Sequence, residues 1–216
     1  MQYRQLTQDE QMQLVQQGCT AVDWTKVEVV EDFEPKYVQN VAFSGRVRLG
    51  RFESVITQPG GFEVHSGVYY ARLHNVTIGN DCYIDRIHNY IANYEIGNNV
   101  FIENTNLLVV DGETTFGNGV RVPVMNEAGG REVPIYDNLS AHLAYILTLY
   151  RHERELIIEL ERLIADYVEK QKGEVGKIGN NVRIVNCGTI KNVRIGDCAT
   201  LGGVSKLKNG SINSNC

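Results

Sequence analysis

Proline is scarce in this chain, with four residues in 216, and tryptophan occurs once. No apolar run approaches the roughly 20 residues needed to cross a bilayer. The amino-terminal stretch, Met1 to Leu14, has neither the basic start nor the apolar block of a secretory leader. Basic runs are also missing: 21 Lys and Arg stand against 26 Asp and Glu, a net charge of −5. That balance argues against nucleic acid or a membrane surface as the partner. The five cysteines, Cys19, Cys82, Cys187, Cys198 and Cys216, are odd in number and form no C-x-x-C pair. No histidine stands near them at zinc-finger spacing, so neither a disulfide framework nor a metal site is expected. Reduced thiols and the lack of a leader predict a cytoplasmic protein.

Glycine, by contrast, is plentiful at 21 residues, and much of it belongs to a repeated phrase. An aliphatic residue, Gly, three or four small or polar residues and another aliphatic residue recur at Ile78–Ile84, Ile96–Ile102, Phe116–Val122, Ile178–Ile184 and Ile195–Leu201. Leu49-Gly50 with Val55 is a weaker copy. A second phrase precedes the first, in Leu73-His-Asn75, Ile91-Ala-Asn93, Ile190-Lys-Asn192 and Val38-Gln-Asn40. Positions 73 and 91, 78 and 96, and 84 and 102 are 18 residues apart; 178 and 195, and 184 and 201, are 17 apart. Neither a helix nor an alternating strand produces a six-residue beat. A three-sided coil does, with one inward aliphatic residue per side, Gly or Asn at the corners where φ turns positive, and small residues such as Cys82, Val100, Val120, Val182 and Ala199 where it narrows.

The phrase resembles that of the hexapeptide-repeat family, over roughly residues 37–55, 73–122 and 175–212. More narrowly, the whole chain resembles the amino-terminal part of a family of larger uncharacterised proteins with this repeat. The resemblance implies a mainly β fold, a left-handed parallel β-helix with a short N-terminal capping helix and a helical hairpin insertion. The expected organisation is one β-helix domain over 1–216: a cap at 1–36, repeat segments at 37–122 and 175–216, and a loop with helices at 123–174. The repeat runs to the last residues, so a fragment of a longer chain is expected.

Thr7-Gln8-Asp9-Glu10 spells a capping box and predicts a helix over 8–18. Gln58-Pro59-Gly60-Gly61 predicts a hairpin loop within 56–72. Asp137 or Asn138 is placed to cap a helix with an apolar face of Leu139, Leu143, Ile146 and Tyr150. A second stripe, Leu156, Leu160, Leu163, Ile164 and Tyr167, has the same spacing. A hairpin breaking near 151–153 is favoured over one long helix.

The resemblance also implies acyl transfer from CoA or a carrier thioester, as co-substrate, to an amine or hydroxyl, commonly in a homotrimer. Such chemistry needs a general base. His88, between two copies of the repeat with Asp85 and Asn89 to orient it, and His65, in the interrupting loop, are the candidates; His74 also faces outward. Gly129, Gly130 and Arg131, with Asn126, form a candidate anion-binding loop, because exposed amides and a guanidinium both suit an oxyanion. The competing reading is a non-catalytic scaffold whose helical excursion binds a partner. Either a homo-oligomer or a missing carboxyl-terminal domain would cover the open end.

Overall fold

The computed structural model describes residues 2–124 and 129–216. Its elements, in chain order, begin with β1 (Arg4–Gln5), α1 (Gln8–Gln16), β2 (Thr20–Ala21), β3 (Val27–Val29) and β4 (Val38–Leu49). A small antiparallel hairpin follows, β5 (Val55–Thr57) with β6 (Glu63–His65). The long strands β7 (Gly67–Ile78), β8 (Tyr83–Ile96) and β9 (Phe101–Val109) come next. The excursion holds β10 (Arg121–Pro123), β11 (Glu132–Pro134), α2 (Ala141–Leu149) and α3 (Arg154–Gln171). The chain then returns through β12 (Gly176–Ile178), β13 (Arg183–Val185), β14 (Thr189–Ile195), β15 (Thr200–Gly202) and β16 (Lys206–Ile212).

Repeat positions 18 or 17 apart are partners in parallel ladders, and with longer steps across β5–β6 and the helical excursion they build three apolar columns through the body. One runs Val38, Val68, Ile84, Ile102, Ile184, Leu201. A second runs Ala21, Phe43, Leu73, Ile91, Leu108, Ile190, Leu207. The third runs Val29, Leu49, Ile78, Ile96, Ile178, Ile195, Ile212. Most of these side chains are fully buried, and each contributes roughly 1.5–3 kcal/mol to burial.

The expected left-handed parallel β-helix is nevertheless corrected. The fold is a mainly β body with a closed parallel barrel of four strands, extra strands and three helices. The cycle is explicit in the pairing: β8 pairs β12, β12 pairs β14, β14 pairs β9, and β9 pairs back to β8, all parallel. The physical reason lies at the bends. The repeat predicted short strands separated by corner turns. Instead single left-handed residues, such as Asn75, Arg86, Asn93 and Asn104, bend the backbone without ending the strand. Strands of up to 14 residues result, long enough to pair with different neighbours along their length.

Two further expectations change. The repeat glycines Gly79, Gly97, Gly179 and Gly196 are not left-handed; Asp81, Asn99, Asn181 and Cys198, two places later, are. Glycine is required instead by close approach, since a Cβ on Gly79 would stand 2.5 Å from the Gly97 carbonyl oxygen. The Phe116–Val122 copy leaves the ladder altogether. Phe116, Gly117 and Gly119 all have positive φ, Val120 is exposed, and Phe116 turns inward beneath the Arg194 guanidinium, 4.2 Å away.

The capping box forms, with the Thr7 side chain accepting from the Glu10 amide and Glu10 from the Thr7 amide. Ser140, rather than Asp137 or Asn138, caps α2 through the Leu143 amide. Asp137 and Asn138 both bond the Tyr167 hydroxyl. The excursion is a helical hairpin: Arg151 holds its bend by donating to the carbonyls of Leu147 and Glu132. Its base is closed by reciprocal backbone bonds between Thr114 and Gly173, both 3.0 Å. Its apolar cluster centres on Val133, Leu147, Ile157 and Ile164. The predicted stripe is therefore rotated, leaving Leu156 and Leu163 exposed.

Candidate functional site

Along β7 the partners of β4 and β8 alternate between core and surface. Phe43, Leu73 and Ile91 share an inward column, so their strand neighbours face outward. Arg72 thus stands beside Ala42 and Thr20, and His74 beside Ser44. Between Tyr69–Asp85 and Leu73–Ile91 the register slips: three residues of β7, Tyr70 to Arg72, oppose five of β8, Arg86 to Tyr90. The surplus makes a bulge that carries His88 out into solvent, a common device for aiming a side chain.

Two contiguous grooves result. The first, of 290 Å³, is lined by Thr20, Asn40, Tyr70, Arg72 and His88, among others. The second, of 400 Å³, shares Thr20, Ala42 and Arg72 with it and adds Val22, Ser44, His74 and Tyr90. No Asp or Glu lines either groove. Among the described residues, Arg72 has no hydrogen-bond or ion-pair partner. Tyr70 is exposed and left-handed, at φ 49°, unusual for a bulky side chain.

The hydrogen bonds assign the protons of both histidines. The Arg46 amide donates to Asn75 Oδ1, which turns the Asn75 nitrogen toward His74 Nε2 at 3.1 Å. His74 Nε2 therefore accepts, and its Nδ1–H donates to Ser44 Oγ at 3.0 Å. Ser44 is not activated as a nucleophile by this arrangement, because the proton runs the wrong way. Asn104 is fixed by donating to Asn186 Oδ1, so its own Oδ1 accepts from His88 Nε2–H at 2.7 Å. His88 Nδ1 keeps a lone pair without a described partner.

The orienting group of His88 is thus Asn104, not Asp85 or Asn89. Asp85 accepts from the Tyr83 hydroxyl and pairs with Arg86; burial, and then the Asp85 charge, push the Tyr83 hydroxyl up. His65 lines neither groove. Its ring stacks on Tyr37 at 3.6 Å and its Nδ1–H donates to the Ser66 carbonyl. Around Gly129 and Gly130 the anion-accepting amide is already taken: Gly130 donates to Glu132 Oε1 at 2.8 Å and holds that carboxyl below its ordinary range. Arg131 is exposed, and Asn126 lies outside the described residues. Arg72, Tyr70 and Asn104 were missed from sequence; only the register shows Tyr70 aligned with asparagines and glycine. Among the described residues no cluster of three or more His, Cys, Asp or Glu is placed to hold a metal ion. No helix among them is long and apolar enough to cross a membrane.

Fold and groove together define a mainly parallel β protein with a surface groove lined by residues of four strands. The chain belongs to the family described as Domain of unknown function (DUF4954), whose model matches residues 3–216. It is similar to an uncharacterized protein of Treponema pallidum (strain Nichols), 27% identical over 223 residues, covering 98% of this chain and 31% of that relative. The chain therefore spans about a third of the length of the curated relative it matches. Neither match names a hexapeptide-repeat family. No solved structure matches the chain.

Proposed function

We propose that the groove binds an anion-bearing small molecule and that His88 is the general base of an acyl transfer there. The donor is CoA or a carrier thioester and the acceptor an amine or hydroxyl. One observation carries the reading: Arg72 and His88 Nδ1, both without a partner among the described residues, share a groove lined by no carboxylate. Arg72 suits an oxyanion on the donor. His88 Nδ1 takes the acceptor's proton as its nitrogen or oxygen attacks the thioester carbonyl carbon. The carbon–sulfur bond then breaks, and the imidazolium returns that proton to the departing thiolate. Five free cysteines, three of them buried, support the cytoplasm as its compartment, and assembly into a homo-oligomer belongs to the same reading.

The test is thiol release from acetyl-CoA by the intact chain across a panel of amines and alcohols, beside its thermal stabilisation by CoA. His88→Asn is expected to lower turnover about 10²-fold or more with an unchanged melting temperature, and His65→Ala to leave it unchanged. No thiol release, or equal rates in His88→Asn, refutes the reading. A partner-binding role for the excursion is favoured by a different observation: Tyr145, Leu149, Leu156, Ile158 and Leu163 stay exposed on its two helices.

A further inference from the structure

The two halves of the groove differ in chemistry. At one end the polar capacity is unmet: Arg72 has no partner among the described residues and His88 Nδ1 is open, with Thr20 and Asn40 beside them. At the other end His74 and Ser44 are already bonded to one another. His74 spends both ring nitrogens, on Ser44 and Asn75. What that end chiefly presents is apolar: Ala21, Ala42, the Tyr90 ring, and Val22, a residue 84% exposed. Arg72 lies on the shared wall, so an ion bound to it has polar surface on one side and apolar surface on the other.

Resting on the reading that the groove takes an anion, we infer that its ligand is an amphiphile. An oxyanion head, carboxylate or phosphate, sits at Arg72, and an apolar chain of several carbons lies along Val22 and Tyr90. Charge complementarity places the head, since the guanidinium is the sole formal charge among the residues lining the two grooves when the histidines are neutral. Burial of Val22 and Tyr90 places the chain, since covering exposed apolar surface is favourable and non-directional.

Calorimetric titration of the full chain with acetate, butanoate, hexanoate and hexyl phosphate tests this. Affinity is expected to rise about two- to fourfold per added methylene, with the tighter of the two six-carbon ligands identifying the head. Arg72→Gln is expected to weaken hexanoate about tenfold or more. The double variant Val22→Gln, Tyr90→Ser is expected to flatten the chain-length series and leave acetate unchanged, each variant being checked for a native circular dichroism spectrum. A flat series in the parent chain, hexanoate binding by Arg72→Gln at parental affinity, or no binding at all overturns the inference. Hexanoate binding without thiol release removes the transferase reading and leaves the ligand class standing. Thiol release with a flat series does the reverse.

Discussion

Tyr70 holds a left-handed backbone in a column that continues through Arg86, Asn104, Asn186 and Gly203. Asparagine and glycine adopt that conformation cheaply, whereas a bulky side chain is strained there by about 1–2 kcal/mol. Such strain persists where the surroundings enforce it and is concentrated at functional sites. Tyr70 borders the groove beside Arg72 and His88, so the strain is spent where a ligand would sit. Tyr70→Asn is expected to raise stability by about 1 kcal/mol in urea denaturation and to weaken hexanoate binding. A variant less stable than the parent would show that Tyr70 contributes more by packing than it costs in backbone strain. The glycines teach the converse lesson. Gly79 and its column partners were legible as special residues, but the reason, a carbonyl at 2.5 Å from where a Cβ would be, belongs to stacking and appears in no single segment.

At the scale of the element, α1 is the piece most completely written in local sequence. Thr7 and Glu10 cap it reciprocally, and Arg4 adds a two-pronged contact to the Glu10 carboxylate at 2.8 and 2.9 Å. The Arg4 bond, chiefly, holds that carboxyl below its ordinary value of 4.5. A depressed value in the folded state means stabilisation that is complete above 4.5 and is lost as pH falls through the lower, folded value. The melting temperature is expected to fall from about pH 5 downward, and Glu10→Gln to melt lower at neutral pH with a shallower acid limb. A parallel shift of the whole profile would exclude the Glu10 contribution. The excursion helices were less legible. Their existence follows from apolar spacing and the bend near 151 from the need of the chain to return to the body, but which stripe is buried depends on what it meets. Val133 of β11 and Leu147 of α2 meet Ile157 and Ile164, and Leu156 and Leu163 are turned away.

At the scale of the whole molecule, the described residues form two separate apolar clusters. One fills the parallel body, and the other joins the helical hairpin to β11. The excursion leaves and returns at the Thr114–Gly173 bridge, so the body does not depend on it for its ladders. Replacing residues 115–172 by an Asn-Gly turn is expected to keep a single cooperative transition. The expected cost is about 3–5 kcal/mol, that of deleting a buried phenylalanine, since Phe116 belongs to the body's cluster. Loss of cooperativity in calorimetry would show that the two clusters fold as one.

The sequence by itself determined which side chains stack. Apolar residues 17 or 18 apart report a local rhythm, and a rhythm of that kind can be read without knowing how the chain closes. Only the tertiary structure decided how the strands close, because that depends on single left-handed residues bending strands instead of ending them. It alone also decided the site. Thr20, Ala42, Arg72 and His88 come from four strands, and of these His88 alone stood out within its own segment. Their shared groove is created by a two-residue slip in register, a relation between chain segments that no one segment encodes.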